Sequence, residues 1–184
     1  MLTVTPTNFD GVLQLNTRLF HDHRGTLAKT YHAQEWNRAG IPEDFVESFV
    51  TISDRNVLRG LHFQLPPVDH AKVVWCITGK VFDVAVDLRR DSPSYARHIA
   101  VELDSQSGDG ICIASGYAHG FCVLEAPATL LYMTTSLHDP ECDTGIHWNS
   151  CGIRWPLQQP VVSEKDEGLQ WLEQFKSPFR YAKA

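Results

Sequence analysis

Apolar and polar residues alternate in many short segments along most of this chain. The segments are rich in β-branched and aromatic residues and are separated by Gly, Pro, Ser and Asp, which is typical of strands joined by turns. The predicted strands cover residues 11–15, 26–31, 45–52, 57–63, 71–78, 81–88, 98–103, 110–113, 118–124 and 130–136. Many short strands at close spacing predict an all-β sandwich, jelly roll or barrel, and not a βαβ fold.

Turn signals predict how some of these strands are joined. Residues 21–25 are expected to form the turn between the first two strands, and Gly79-Lys80 is expected to close a hairpin. The pattern contains neither an internal repeat nor a linker. We therefore predict a single domain over residues 1–184.

Helical patterns are confined to two places. A helix is predicted at residues 32–39, ended by Gly40 with Pro42 just beyond. The stretch 167–175 carries Leu169, Leu172 and Phe175 at helical spacing. The tail is therefore expected to be helical and to pack back on the sheets.

Composition narrows the possible partners and the compartment. The 184 residues are 43% hydrophobic and 21% charged, with a net charge of −6, which argues against a general nucleic-acid binder. An anionic ligand would need a local cluster of Arg and Lys. The five cysteines contain no CxxC pair, and no leader-like or membrane-spanning stretch is evident. We expect a soluble cytoplasmic protein without a membrane partner.

The stretch 56–64 is the first candidate for chemistry. It carries Arg59 and His62 on a short apolar segment interrupted by Gly60. Imidazole changes its charge near neutral pH, so His62 is a candidate for moving protons, although a lone histidine is more often structural. Arg59 has the opposite strand parity from His62 unless Gly60 forms a bulge.

Strand parity suggests partners for His62. Lys72 begins an otherwise apolar face, His119 shares a face with Phe121, and Tyr132 begins a polar face on a strand expected to be buried. If these faces line one cavity, the three side chains and His62 meet there. Each also has an ordinary structural interpretation: a solvated lysine at a strand edge, a satisfied core histidine and a packed tyrosine.

Five segments together carry a resemblance. They are Val-Leu-Arg-Gly-Leu-His-Phe-Gln at 57–64, Val-Phe-Asp-Val-Ala-Val-Asp-Leu-Arg at 81–89, Gly-Tyr-Ala-His-Gly-Phe at 116–121, Gly-Ile-His-Trp at 145–148 and Ser-Glu-Lys-Asp at 163–166. In this order the chain resembles the dTDP-4-dehydrorhamnose 3,5-epimerase family over nearly its whole length. The resemblance implies a cupin-type jelly roll, a homodimer, no metal or organic cofactor, and a nucleotide-diphosphate 4-keto-6-deoxy sugar as substrate.

The resemblance also implies roles for individual residues. His62 would remove the proton next to the ketone, Asp166 would orient it, and Lys72 would stabilise the enolate oxygen. Tyr132 would return a proton from the other side. The further positions matched to substrate binding are Arg59, His119, Lys165, Arg24 and Gln64.

Departures from the family pattern lie at positions associated with the nucleotide. Leu27 and Lys29 replace the usual Phe and Glu, and Leu137 followed by His138 replaces a usual Tyr. Lys29 and His138 are therefore candidate nucleotide contacts, and we hypothesise a changed carrier, with cytidine diphosphate as the first alternative to dTDP. Ala114 replaces a usual Pro in a turn. The residues do not decide between inversion at C3, C5 or both.

Two other classes of function stay open on sequence alone. One is a metal-dependent cupin, since nine histidines are present, although a His-x-His pair followed by Glu is missing. The other is a related sugar-nucleotide ketoisomerase or binding protein. The resemblance further implies that the strand at residues 26–31 swaps to complete a partner's site.

Overall fold

The computed structural model describes residues 1–41 and 44–182, and antiparallel β-strands are its main secondary structure. A short helix α1 spans Ala33–Arg38, a four-residue helix α2 spans Glu164–Glu167, and a 3-10 turn spans Leu172–Gln174. The strands are β1 Leu2–Pro6, β2 Val12–Thr17, β3 Leu19–Asp22, β4 Gly25–Ala28, β5 Glu47–Ser53, β6 Leu58–Gln64, β7 Lys72–Asp87, β8 His98–Asp104, β9 Asp109–Ile113, β10 Tyr117–Thr134 and β11 Asp143–Gly145.

Two long strands, β7 and β10, organise two β-layers. They pair antiparallel from Lys72 opposite Thr134 to Asp87 opposite Tyr117, with register shifts near the middle. In the layer that contains the start of β7, β10 pairs with β5, and β7 pairs with β9, which is followed by β2 and β1. In the layer that contains the end of β7, β10 pairs with β6, which is followed by β11, and β7 pairs with β8. The expected all-β sandwich is therefore confirmed.

Apolar side chains from both ends of the long strands meet between the two layers. Val74 and Leu130 come from one end, and Val81 and Phe121 come from the other. Burying this surface is the main favourable contribution to folding. Cys76, Cys112 and Cys122 are buried, as expected for small apolar side chains, while the cytoplasmic location stays a prediction.

The predicted hairpin at Gly79-Lys80 is wrong, because β7 continues through both residues. Gly79 has φ +73°, and a Cβ there would lie 2.3 Å from the carbonyl oxygen of Glu125. The glycine thus allows β7 to bend closely around β10 without reversing direction. The predicted strands at 118–124 and 130–136 are likewise parts of one strand, β10.

The helix predictions had mixed outcomes. The first is confirmed as α1, with Trp36 buried, while Pro42 lies outside the described residues. The helical tail is confirmed as two short segments, α2 at Glu164–Glu167 and the 3-10 turn at Leu172–Gln174, but residues 167–175 do not form one continuous helix. Phe175 is nevertheless buried in the core, so its spacing reflects packing against the sheets.

The turn predicted at residues 21–25 lies within a separate two-stranded hairpin of β3 and β4. Among the described residues, none of the helices is both long and apolar enough to span a membrane.

Candidate active site

A pocket of about 870 Å³ opens between the layers, with walls from β5, β6, β7 and β10. All four residues predicted to converge line it, together with the predicted Arg59, Gln64 and His138. The remaining lining residues are Glu47, Phe49, Thr51, Phe63, His70, Gly120, Phe121, Thr134 and Asp143.

His62 is held by a carboxylate behind it. Its Nε2 lies 2.7 Å from Oδ1 of Asp166, and the backbone N–H of Gly60 donates to Oδ2 at 3.1 Å. Burial alone would raise the pKa of the Asp166 carboxyl, but the hydrogen bonds from His62 and Gly60 outweigh it and hold that pKa below its ordinary value. A charged Asp166 fixes the proton of His62 on Nε2, which leaves Nδ1 as the basic nitrogen.

Asp166 reaches this position because it lies in the first turn of α2, which begins at Glu164. The Ser163 hydroxyl accepts a hydrogen bond from the backbone N–H of Asp166 at 3.1 Å, which caps the helix. A backbone pairing between Val57 and Val161 brings the same segment alongside the start of β6. The cap and the pairing together set the carboxylate behind the imidazole.

A bulge in β6 brings Arg59 and His62 to the same pocket. His62 lies opposite His119 and Arg59 lies opposite Phe121, so β6 contains one more residue than β10 over this interval. Gly60 has φ +130°, and a Cβ there would lie 2.6 Å from Cα of Gly120. The bulge considered from the sequence is therefore present.

His119 belongs to a second, buried pair. Its Nε2 lies 2.8 Å and 3.0 Å from the two carboxylate oxygens of Asp83 on β7. We assigned no role to Asp83 from the sequence, although it shares a face with the core residues Val81 and Ala85. An acidic residue on the core face of an apolar strand is the signal that could have identified it.

Lys72 is almost fully buried at the start of β7. Burial lowers the pKa of its ammonium to about 8, while the nearby carboxylates of Asp83 and Asp143 oppose this fall. At neutral pH the ammonium is therefore mostly charged inside a pocket that excludes much of the solvent. A cation in such a site interacts strongly with negative charge.

Tyr132 is packed between two rings. Phe49 stacks on it with 4.7 Å between centroids and 5° between planes, and His119 approaches edge-on at 6.0 Å. Burial raises the pKa of the Tyr132 phenol, and the Asp83 carboxylate adds to this rise. The phenol is thus protonated throughout the ordinary pH range and can donate a proton.

Arg59 and Gln64 line the pocket while also holding its walls. Arg59 Nε donates to the Ser53 hydroxyl at 3.0 Å. The buried Gln64 donates from Nε2 to the carbonyl oxygens of Val68 at 2.9 Å and Leu137 at 3.1 Å, and its Oε1 accepts from the backbone N–H of Asp139 at 2.7 Å. The amide of Gln64 therefore joins two loops at the mouth of the pocket.

The remaining predicted contacts lie elsewhere or at the rim. Arg24 and Lys29 line a separate depression on the β3–β4 hairpin, where Arg24 pairs with Asp22 at 2.5 Å. Lys165 Nζ pairs with Asp143 Oδ2 at 2.5 Å. Within one chain, the predicted residues on the strands of the main sheet therefore lie around one pocket, whereas Arg24 and Lys29 on the β3–β4 hairpin lie away from it.

Sequence reasoning also missed polar residues at the rim. Asp143 begins β11 and lines the pocket, while Glu47 accepts a hydrogen bond from the backbone N–H of His138 at 2.7 Å. Burial lowers the pKa of His70 to about 3, with Lys72 adding to the fall, so this imidazole is neutral at physiological pH.

Across residues 1–41 and 44–182, His, Cys, Asp and Glu do not form a group of three positioned to hold a metal ion.

Comparisons with known proteins agree on one family. The family model of dTDP-4-dehydrorhamnose 3,5-epimerase matches residues 6–174. A dTDP-4-dehydrorhamnose 3,5-epimerase of Salmonella typhimurium is 38% identical over 178 residues, covering 95% of this chain and 97% of the relative. A dTDP-4-dehydrorhamnose 3-epimerase of Streptomyces niveus is 34% identical over 169 residues, covering 90% and 82%.

A solved structure extends this likeness to the fold. The crystal structure of a dTDP-6-deoxy-D-glucose-3,5-epimerase from Legionella pneumophila, in complex with dTDP-4-keto-L-rhamnose, aligns with a TM-score of 0.94 at 32% identity and covers 100% of both chains. Both named relatives and the aligned solved structure are therefore epimerases. The chain belongs to the dTDP-4-dehydrorhamnose 3,5-epimerase family and is an isomerase that acts on a nucleotide-linked sugar.

Proposed function

We propose that this enzyme inverts C3, C5 or both carbons of a dTDP-linked 4-keto-6-deoxyhexose through an enolate intermediate. The observation that carries the proposal is that one pocket is lined by a carboxylate-backed imidazole, a buried ammonium and a buried phenol. These are the groups needed to remove a proton beside a ketone and return one to the opposite face.

The first half of the reaction uses His62 and Lys72. His62 Nδ1 takes the proton from the carbon next to the C4 ketone, and the carbonyl oxygen becomes an enolate oxygen. Asp166 stabilises the resulting imidazolium through the 2.7 Å contact with Nε2. Lys72 donates a hydrogen bond to the enolate oxygen, and its positive charge counts for more in a dry site than in water.

The second half uses Tyr132. Its phenol donates a proton to the opposite face of the planar carbon, forming the new C–H bond and leaving a phenolate. The C4 ketone is restored, and His62 loses its proton to solvent while Tyr132 regains one. Burial raises the pKa of Tyr132, so the phenol stays protonated until it reacts; the same burial disfavours the phenolate, which must regain a proton before the next turnover.

The nucleotide carrier is the least constrained part of the substrate. The Salmonella and Streptomyces niveus relatives are named for dTDP sugars, which supports dTDP here. Lys29 and His138, which depart from the family pattern, keep cytidine diphosphate as the second candidate. Isothermal titration with dTDP and CDP decides between them: tighter binding of dTDP defeats the CDP hypothesis, and tighter binding of CDP supports it.

A homodimer is the proposed assembly. The outer face of edge strand β5 exposes Val50 and Ile52, Val46 just before the strand is also exposed, and the separate β3–β4 hairpin exposes Leu27. Apolar patches of this kind favour a protein partner. We propose a second copy as that partner, with Arg24 and Lys29 contributing to a neighbouring pocket. Light scattering gives the mass, and a monomer at all concentrations contradicts this assembly.

Deuterium exchange tests the reaction directly. The enzyme is incubated in heavy water with dTDP- and CDP-linked 4-keto-6-deoxyglucose, and deuterium at C3 and C5 is followed by NMR. Incorporation at one carbon or at both distinguishes a single-carbon from a double epimerase. A correctly folded enzyme that incorporates deuterium at neither carbon of either sugar contradicts the proposal.

A further inference from the structure

Strand β5 forms a wall of the pocket that the sequence motifs did not indicate. It pairs with β10 so that Thr51 lies opposite Leu130, Phe49 opposite Tyr132 and Glu47 opposite Thr134. Because alternate residues share one face, Glu47, Phe49 and Thr51 all line the pocket. Phe49 is thus the direct cross-strand neighbour of the proposed proton donor.

The two rings differ sharply in exposure. Tyr132 is 6% exposed, whereas Phe49 is 44% exposed and borders the open part of the pocket. Their planes are almost parallel, and the other contact on Tyr132 is the edge-on ring of His119, which Asp83 holds in turn. The hydroxyl oxygen of a tyrosine lies on the axis of the outer torsion, so its position is set by the torsion about Cα–Cβ, and the rings packed against the side chain restrict that torsion.

We propose that Phe49 is a positioning residue that fixes the ring of Tyr132 for proton delivery, and that it thereby controls inversion separately from proton removal. The inference rests on the proposed role of Tyr132. Proton transfer is sensitive to small errors of geometry, since reacting atoms must be held close and aligned. Phe49 stacks on the donor ring, whereas the base His62 is held from a different direction by Asp166 of α2.

Heavy-water NMR separates the two half-reactions. Loss and replacement of the proton by His62 on one face gives deuterium without inversion, whereas delivery by Tyr132 gives inversion. In Phe49→Ala we expect exchange within about twofold of the wild type and inversion slower by about threefold to tenfold, in line with the loss of one stacked aromatic pair. KM is expected to change little.

Three further variants control for general damage. Phe49→Tyr and Phe49→Trp keep a stacking ring and are expected to restore the ratio of inversion to exchange. Tyr95→Ala removes an aromatic side chain of similar exposure, 39%, outside the residues that line the pocket, and should behave as the wild type. Melting temperatures confirm that all four variants are folded.

One result overturns the inference: an unchanged ratio of inversion to exchange in folded Phe49→Ala, whether both rates stay at the wild-type values or fall by the same factor. A wild type that catalyses no exchange defeats the proposed function instead. The packing claim is then decided by NMR of Tyr132 ring flips without substrate: faster flipping in Phe49→Ala supports it, and an unchanged rate overturns it.

Discussion

The pocket is bordered by two histidine–aspartate pairs that have nearly the same hydrogen bond and different surroundings. His62 meets Asp166 at 2.7 Å and keeps 34% of its side chain exposed, whereas His119 meets Asp83 at 2.8 Å and keeps 4%. The first histidine lies on a bulged strand facing open space, and the second lies within β10. The same pair of residue types therefore occupies two distinct environments.

Exposure decides what each pair can do. A base must reach a substrate proton and later exchange that proton with solvent, which the partly open ring of His62 allows. The ring of His119 is enclosed and contacts Tyr132 edge-on at 6.0 Å, so its pairing with Asp83 holds a ring that packs against the proposed donor. A His–Asp contact alone thus does not identify a base; accessibility must be added.

The largest predicted effect is on catalysis by the exposed pair. Replacing His62 with Ala removes the proposed base, so deuterium exchange and inversion should both fall by about 10²–10⁴-fold, the usual contribution of a general base. Heavy-water NMR measures both rates. The fold should persist because His62 is partly exposed.

Asp166→Asn sharpens this prediction. The amide keeps the shape of the side chain but does not stabilise the imidazolium, so activity should fall while substrate binding stays near the wild-type value. If His62→Ala still exchanges deuterium at the wild-type rate, a different residue is the base, and the comparison of the two pairs loses its functional meaning.

The second prediction concerns the stability of the buried pair. Asp83→Ala leaves Nε2 of His119 without its carboxylate partner in the interior, and an unsatisfied buried polar group costs about 1–3 kcal/mol of unfolding free energy. Denaturant unfolding measures the loss. His62→Ala is the matched control and should lose much less; equal losses in the two variants would remove the proposed structural distinction.

Much of this arrangement could be predicted from residue patterns. Strand parity brought His62, Lys72, His119 and Tyr132 to one cavity, and all four line the pocket. The alternation of side chains between the two faces is a local property of a strand, so it can be predicted without knowing which strands pair with it. The sequence could not reveal Asp83 as the partner of His119, because that pairing depends on the register between β7 and β10.

The errors have related physical causes. Gly79 looks like a hairpin glycine because a positive φ serves both a reversal and a bend, and the difference depends on the distant carbonyl of Glu125. The spacing that suggested one helix over 167–175 arises from contacts of Phe175 with the sheets. For Arg24, the predicted contact with the substrate depends on a second subunit and stays a prediction.

The third prediction is a loss of activity at alkaline pH. The pKa of Lys72 is lowered by burial to about 8, and its charged form is the one that stabilises an enolate oxygen. Activity should therefore be nearly full at pH 7 and should fall above pH 8 by up to about tenfold per pH unit. The pH profile of kcat between pH 6.5 and 9.5 measures this effect.

Lys72→Arg is the control for this pH profile. A guanidinium remains charged across the range, so the alkaline fall should disappear even where the rate itself is lower. The raised pKa of Tyr132 keeps the phenol protonated in the same range, which leaves the ammonium as the group under test. A wild-type profile that is flat to pH 9.5 would exclude Lys72 as an electrostatic contributor.

The smallest predicted effect is a shift in the pKa of Lys72 when one of the carboxylates near it is removed. Two carboxylates oppose the lowering of its pKa, first Asp83 and then Asp143. Asp143→Asn removes the weaker of the two charges without opening the core, so the charged ammonium becomes less favourable and its pKa falls further. The alkaline fall in kcat should then begin at lower pH, by less than about one unit.

Lys165→Met is the matched comparison, since it removes the cation that pairs with Asp143 at 2.5 Å and leaves the carboxylate. An unpaired Asp143 should support the Lys72 charge more strongly, so the fall should move to higher pH. Opposite displacements in the two variants would show that charge at the pocket rim tunes the ammonium. Displacements in the same direction would instead indicate that both changes disturb the position of β11, and the electrostatic interpretation would be wrong.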